Sequence, residues 1–139
     1  MINRLTDSLD FQSQALALRA ERQRLLASNI ANADTPGYVA RDMDFAAALR
    51  DATGTATAGA AVTAALRQAL PGAGGFGAST EAHLRYAAPS QTNLDGNSVD
   101  MDRERASFAD NSVKYEATLR FINGSVRSML DAMKSPQQG

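Results

Sequence analysis

Both ends of the chain carry long stretches of apolar residues at helical spacing. Residues 6–32 contain neither glycine nor proline, and residues 100–134 contain no proline. Because apolar residues that recur every three or four positions without a breaker favour a helix, the stretches predict two α-helices of about 27 and 35 residues. A chain of 139 residues has room for one domain, so these helices have to supply most of its core.

The C-terminal stretch has the more regular pattern. Two rows of residues at heptad spacing run along it, and eight of their ten members are large apolar or aromatic residues. This pattern predicts a coiled-coil contact that is strongest from Tyr115 to Met133. Gly124 weakens the helix locally, which suggests that another backbone approaches it closely. The first row is Met101, Phe108, Tyr115, Ile122 and Met129, and the second is Arg105, Ser112, Leu119, Val126 and Met133.

The N-terminal stretch, which we expect to be capped by Asn3, Thr6 or Asp7, has apolar residues on two sides. The two rows are offset by two residues, which is about 200° around a helix. One partner helix cannot cover both rows, so the pattern predicts lateral contacts with other subunits. The first row is Leu9, Leu16 and Ile30, with Gln23 between them and Leu26 beside them, and the second is Phe11, Leu18 and Leu25.

The middle of the chain is poor in large apolar residues. Only 7 of the 34 such residues lie in residues 50–98, and Ala, Gly and Thr make up 21 of the 30 residues in 51–80. Apart from a possible short helix at Val62–Leu70, this composition predicts loop. We therefore predict an all-α fold in which residues 1–34 and 99–135 form a discontinuous helical core, a coiled-coil-like pair. A turn and short helix occupy residues 35–50, and an extended or flexible segment, free to order on assembly, occupies residues 51–98.

Composition excludes several classes of function. A net charge of −1 lacks the basic excess that nucleic-acid binding requires, and no apolar run is long enough to cross a membrane. The chain has no cysteine and a single histidine, His83, so thiol chemistry, zinc catalysis and a histidine-activated nucleophile are not expected. The carboxylates near Asp42 and Asp100 suit helix capping. We predict no enzyme activity, no cofactor, no metal and no small-molecule substrate.

Residues 28–45 connect the N-terminal helix to the middle and have strong turn chemistry. Asn32 suits a left-handed helix cap, and Thr35-Pro36-Gly37-Tyr38 suits a type II turn. Asp44 is placed to cap a short helix from Phe45 to about Arg50. On turn chemistry alone, this segment is a loop that ends one helix and begins another.

The same segment carries a motif, Asn-Ile-Ala-Asn-x-x-Thr-Pro-Gly-Tyr from residue 29 to 38, that resembles the signature of the rod and hook family of bacterial flagellar axial proteins. A second run, residues 93–104, resembles the same family and follows in the expected order. The resemblance covers about residues 9–50 and 80–133, without the Ala/Gly/Thr-rich middle. The residues that carry it are Asn29, Asn32, Thr35, Pro36, Gly37, Tyr38, Phe45, Asn97, Val99 and Glu104.

The resemblance implies a structural subunit of the flagellar basal-body rod, in its proximal part near the inner membrane. It also implies several partners: copies of the same chain, other rod proteins, the inner-membrane ring or export-gate adaptor, and the flagellar type III export apparatus. The first residues contain no apolar segment typical of a cleaved secretory signal, which fits export by that apparatus. The alternatives are another proximal rod subunit, a cytoplasmic coiled-coil adaptor or export chaperone, and, with little support, a cell-wall hydrolase.

Assembly contacts are expected from the apolar rows of the two helices. The residues predicted to form them are Leu9, Phe11, Leu16, Leu18, Leu25, Leu26, Ile30, Tyr115, Leu119, Ile122, Val126, Met129 and Met133.

Overall fold

The computed structural model of the chain describes residues 2–54, 83–86 and 94–134. Its elements in chain order are α1 (Ile2–Ala31), β1 (Arg41–Met43), α2 (Phe45–Ala52), β2 (Leu84–Tyr86) and α3 (Met101–Lys134). The two long helices pack on each other and confirm the predicted fold class. The predicted helix at Val62–Leu70 lies outside the described residues, and the division into a discontinuous core and a flexible middle stays a prediction.

Helices α1 and α3 run antiparallel. The end of α1 lies beside the start of α3, where the side chain of Asn29 contacts that of Glu104. Farther along, the carbonyl of Arg19 accepts a hydrogen bond from Asn111. Helix α1 begins at Ile2, so that Thr6 and Asp7 lie inside the helix and do not cap it. Within the described residues, no helix is both long enough and apolar enough to span a membrane.

The face that α3 presents to α1 differs from the predicted one. The first predicted row, from Met101 to Met129, is partly buried, as expected for a contact row. The second buried row, however, lies three residues after the first and is polar; it consists of Glu104, Asn111, Thr118 and the partly buried Ser125. The second predicted row lies four residues after the first, which places it about 100° farther round the helix than the polar row. Its apolar members Leu119, Val126 and Met133 are 36%, 41% and 65% exposed.

Long-range hydrogen bonds explain this rotation of α3. Asn111 donates to the carbonyl of Arg19 at 2.9 Å and to Gln23 Oε1 at 2.6 Å, and Glu104 accepts from Asn29 at 3.0 Å. Because a buried polar group without a partner costs free energy, these bonds hold the polar row inward. The apolar row at the next position is thereby turned toward the outside of the pair.

A small β-sheet and α2 cover the other side of α1. Strands β1 and β2 pair antiparallel, with Arg41 opposite Tyr86 and Met43 opposite Leu84. These strands were not predicted, because segments of three residues carry no readable alternation. Asp44 caps α2, as predicted, by accepting a hydrogen bond from the backbone N–H of Ala47 at 3.1 Å.

The apolar core lies between α1 and this second layer. Leu18 and Leu25 are buried against Met43 and Ala48, and further apolar side chains of α2 and β2 pack around them. The second row of α1 was expected to need a neighbouring subunit, but at these two positions the same chain covers it. Phe11, the third member of that row, is 45% exposed.

Candidate functional site

The two motifs that carry the family resemblance lie far apart in sequence but meet in the structure. We call their meeting point, formed by residues 28–41 and 95–104, the motif junction. It lies where α1 ends and α3 begins. Three buried residues organise it, Asn29, Asn97 and Glu104.

Asn29 takes the place of a neighbouring strand at the edge of β1. Its side-chain amide donates to the carbonyl of Arg41 at 2.7 Å, and its Oδ1 accepts from the N–H of the same residue at 3.0 Å. An amide side chain can imitate a peptide group in this way because it carries both a donor and an acceptor. The edge of β1 that faces away from β2 is thus paired with α1.

The remaining hydrogen-bonding capacity of Asn29 links it to α3 and to the turn. Its Nδ2 also donates to Glu104 Oε2 at 3.0 Å, and its Oδ1 accepts from the hydroxyl of Tyr38 at 3.2 Å. Two donated and two accepted bonds satisfy this amide completely. This side chain is only 1% exposed, so any other arrangement of α1, β1 and α3 would leave its buried donors and acceptors without partners.

The turn after α1 has the predicted type. The N–H of Tyr38 bonds to the carbonyl of Thr35 at 3.3 Å, and Gly37 at the third position has a φ of +72°. A left-handed φ at this position is what a type II turn requires, and glycine adopts it without strain. Thr35, Pro36 and Gly37 are exposed, so this part of the motif acts through the backbone shape of the turn.

Asn97 caps the end of α1 from the second motif. Its Nδ2 lies within 2.9 Å of the carbonyl oxygens of Asn32, Ala33 and Thr35, and its Oδ1 accepts from the N–H of Val99 at 2.8 Å. The last carbonyls of a helix have no partner within the helix, so they need an outside donor.

This arrangement corrects the predicted role of Asn32. No described residue other than glycine has a positive φ, so Asn32 is not a left-handed cap. The helix instead tightens at its end, where the N–H of Asn32 bonds to the carbonyls of Ser28 and Asn29. The N–H of Ala33 bonds to the carbonyl of Ile30, and Asn97 donates to the carbonyls of Asn32 and Ala33, which follow the last helical residue.

A second contact joins the two loops of the junction. The N–H of Gly37 donates to the carbonyl of Asp95 at 2.8 Å, and the N–H of Ser98 donates to the carbonyl of Tyr38 at 3.0 Å. The backbones come so close that a Cβ on Gly96 would lie 3.8 Å from the Cα of Gly37. The motifs therefore bind each other largely through main-chain atoms.

The carboxyl group of Glu104 is the unusual electrostatic feature of the junction. Burial raises its pKa above the ordinary value, the hydrogen bond from Asn29 opposes the rise, and the charge of Asp42 adds to it. Asp42 is itself paired with Arg22, whose Nε lies 3.3 Å from Oδ1. Within the described residues, no group of three histidine, aspartate or glutamate side chains is placed to hold a metal. The contacts of Glu104 are those of a residue that joins helices.

Phe45 and Val99 complete the set of motif residues. The guanidinium of Arg19 lies over the ring of Phe45, 4.4 Å from its centroid, and burial lowers the pKa of Arg19. This cation–π contact ties the start of α2 to the middle of α1. Val99 is buried just before α3 begins.

The predicted assembly residues fall into three groups. Leu18, Leu25 and Leu26 are fully buried within the chain, and Phe11, Leu119, Val126 and Met133 are exposed. The others lie partly buried along the α1–α3 contact; they are Leu9, Leu16, Ile30, Tyr115, Ile122 and Met129. The structure therefore leaves the exposed group available to other molecules.

Sequence reasoning missed the polar row of α3. Asn111 and Thr118 are buried, and Asn111 makes two contacts with α1, yet neither was predicted to lie at the contact between the helices. Their spacing of seven residues, continued backward to Glu104, was a readable signal. It was masked by the apolar residues at the adjacent positions.

Comparison with known proteins identifies relatives along the whole chain. Residues 9–38, which include most of α1 and the turn motif, match the family described as flagella basal body rod protein. The chain is 48% identical to the flagellar basal body rod protein FlgB of Proteus mirabilis (strain HI4320), with 100% of both chains covered. It is 46% identical to FlgB of Escherichia coli (strain K12), covering 97% of this chain and 99% of that protein.

A third relative, FlgB of Salmonella typhimurium, is 45% identical, and the alignment covers 96% of this chain and 98% of that protein. The similarity thus extends beyond the two regions that carry the sequence resemblance and includes the Ala/Gly/Thr-rich middle.

Proposed function

Since the chain belongs to the family of the flagellar basal body rod protein FlgB, we propose that it is a structural subunit of the rod that assembles through its two long helices. The observation that supports this mode of assembly is the row of exposed apolar side chains on α3. Leu119, Val126, Leu130 and Met133 are between 36% and 65% exposed.

Burial of this row by neighbours would stabilise the assembly. Four residues at positions 119, 126, 130 and 133 fall on one side of α3, because their spacings of four and seven return to the same face. A contiguous apolar face on one helix is more than the scattered apolar residues of an ordinary surface. Removing it from water contributes roughly 25 cal/mol for each Å² of apolar area.

The motif junction suits a subunit that carries mechanical load. Its buried amides bind α1, β1 and α3 in one relative orientation, and each bond is lost if the helices rotate. A rod subunit has to pass torque to its neighbours without changing shape. Rigid contacts between helices accomplish this without any chemical step.

The proposal also covers the position of the subunit in the flagellum and the proteins that it contacts. We expect the subunit to lie in the proximal rod, near the inner-membrane ring or export-gate adaptor, and to contact other rod proteins as well as copies of itself. We also expect it to be exported from the cytoplasm by the flagellar type III export apparatus. A chain without cysteine, whose helices gain part of their burial from neighbours, is suited to export before final folding.

We propose no catalytic role. The one buried carboxyl group of α3, Glu104, is engaged with Asn29 and lies beside a cavity of about 480 Å³ whose walls carry both acidic and basic side chains. The names of the relatives favour a rod subunit over a cytoplasmic adaptor or export chaperone.

Localisation tests the proposal directly. A strain that lacks the gene would be complemented with a tagged copy, and basal bodies would be purified and blotted for the tag. We expect recovery in the rod fraction and restored motility. A purely cytosolic pool would support the adaptor or chaperone, and a clearing zone on a cell-wall zymogram would support a hydrolase.

A further inference from the structure

A second apolar surface lies at the other side of the molecule from the exposed row of α3. It is a cleft of about 520 Å³ between the N-terminal third of α1 and α2. Its apolar walls include the half-exposed ring of Phe11 together with Ala46 and Leu49. We call this surface the α1–α2 cleft, and we call Leu119, Val126, Leu130 and Met133 the α3 stripe.

The charges beside the two surfaces are opposite. Asp7, Asp10 and Arg50 line the cleft, so its net charge is negative, and neither aspartate has an ion-pair partner among the described residues. Arg120, Arg127 and Lys134 each follow a residue of the stripe directly, at heptad spacing, and Asp131 follows Leu130, so the border of the stripe is mainly basic. Arg120 is paired with Glu116 at 2.5 Å, while Arg127 and Lys134 have no acidic partner in the described part of the chain.

The two surfaces face different directions. Arg103 and Ser107 of α3 line the cavity beside β1 and β2, so this side of α3 faces the layer that also contains α2. Leu119 follows Ser107 by twelve residues, which places it about 120° farther round the helix. The stripe therefore points away from the layer that forms the cleft.

We propose that the α1–α2 cleft of one copy binds the α3 stripe of a second copy, an inference that rests on the proposed function and names the contact surfaces. The apolar walls accept the stripe, and Asp7 and Asp10 attract its basic border. Because one surface binds a different surface, the contact is heterologous, and each bound copy still offers a free cleft or a free stripe. Such a contact propagates into a ring or helical array, whereas a stripe that binds another stripe would stop at a dimer.

Cysteine cross-linking tests the contact in assembled basal bodies. The chain has no native cysteine, so Ala46→Cys labels the cleft and Leu130→Cys labels the stripe at unique sites. Ser128→Cys is the matched control, because this exposed residue lies two positions before Leu130 and about 200° away around α3. Cells that lack the chromosomal gene would express two single-cysteine copies together, and a short bis-maleimide would link neighbours.

We expect a linked dimer from Ala46→Cys with Leu130→Cys, and about tenfold less from Ala46→Cys with Ser128→Cys. The inference would be overturned if the dimer formed mainly in cells that express Leu130→Cys alone, or if both mixtures gave equal amounts of dimer. Either result would leave the proposed function intact, provided that the chain is still found in the rod. Absence of the wild-type chain from basal bodies would instead overturn the proposed function.

Charge reversal provides a second measurement that does not depend on linker reach. Asp7→Lys with Asp10→Lys, or Arg127→Glu with Lys134→Glu, should each lower incorporation about tenfold, which corresponds to about 1.4 kcal/mol. These residues are exposed, so thermal unfolding should change little. All four reversals in one chain should restore incorporation, since both surfaces then change sign. Failure of the fourfold variant to recover would contradict the pairing.

Discussion

At the scale of single residues, buried asparagines hold this molecule together. Asn29 pairs with the backbone of β1, Asn97 caps α1, and Asn111 donates to the carbonyl of Arg19 in the middle of α1. In each case the side chain supplies N–H donors to main-chain carbonyls. Aspartate has almost the same shape but offers no such donors, so substitution with aspartate separates the hydrogen bonds from side-chain volume.

Asn97→Asp should destabilise the fold strongly. The substitution replaces a donor to three carbonyl oxygens with a carboxylate oxygen, at a site that is 2% exposed. We expect a loss of about 3 kcal/mol or more in the free energy of unfolding, measured by urea denaturation. Asn123→Asp, at an exposed position of α3, is the control and should change the urea midpoint little. Equal midpoints for the two variants would refute the capping role of Asn97.

Glu104→Gln should stabilise the protein at neutral pH. Because burial raises the pKa of Glu104 in the folded state, its contribution is fully present below the ordinary value of 4.5 and is lost as the pH rises through the folded-state pKa. Glutamine keeps an acceptor for Asn29 without the charge. The melting temperature of Glu104→Gln should therefore exceed that of the wild type at pH 7.5, and the difference should vanish near pH 4.

Glu116→Gln is the control for this comparison, because Glu116 is exposed on the same helix and is paired only with Arg120. Its melting temperature should stay close to that of the wild type at both pH values, since an exposed pair contributes little. A gain at pH 7.5 that persists unchanged at low pH would show that the charge of Glu104 is not its cause.

At the scale of elements, the rotation of α3 decides which surface remains free. The helix has two candidate rows beside the row from Met101 to Met129, one polar and one mostly apolar. The polar row faces α1 because Glu104 and Asn111 have specific partners there. The apolar row is consequently directed outward, and this outward face is what we assign to assembly.

Gly124→Ala should stabilise α3 in the isolated chain. Among the described residues, a Cβ at this position meets nothing within 4 Å, so no backbone in that part of the chain approaches it and the glycine weakens the helix. Alanine should increase the free energy of unfolding by about 0.5–1 kcal/mol, measured by chemical denaturation. Motility of the same variant tests the remaining possibility, because a close backbone contact in the rod would make it less motile despite its greater stability. Lower stability of the isolated variant would contradict the open environment of Gly124.

At the scale of the whole molecule, α1 is the central element. It contacts α3 on one side and the layer of β1, β2 and α2 on the other, which accounts for its two apolar rows. The middle of the chain has few large apolar residues, and α1 partly makes up for this because it supplies apolar side chains to both contacts. Part of the apolar surface that remains exposed lies at the cleft beside Phe11 and along the α3 stripe.

Leu119→Asp should prevent assembly without unfolding the chain. Leu119 is 36% exposed, so a carboxylate there stays hydrated in the free subunit but loses water when a neighbour covers it. We expect a melting temperature near that of the wild type together with loss of motility. Ile122→Asp is the comparison, because Ile122 is partly buried against α1 and its replacement should lower the melting temperature as well. Motility at the wild-type level in the Leu119→Asp strain would contradict the role of the stripe.

Local features of the fold could be predicted from the sequence. The two long helices follow from apolar periodicity, the type II turn follows from Pro36 and Gly37, and the cap of α2 follows from Asp44. Each depends on interactions within a few residues, so a short stretch of sequence contains all the necessary information. The motif residues of the site were identified through the resemblance to the rod and hook family.

Only the tertiary structure decided how these features combine. Apolar periodicity shows that a helix has a buried face, but the choice between adjacent rows of α3 depended on hydrogen bonds with Asn29 and Gln23, about 75 to 90 residues away. The meeting of the two motifs, the cap that Asn97 supplies and the pairing of β1 with β2 also join distant segments. A heptad spacing such as that of Glu104, Asn111 and Thr118 can mark a buried row, but the partner of each side chain is decided only when the helices pack.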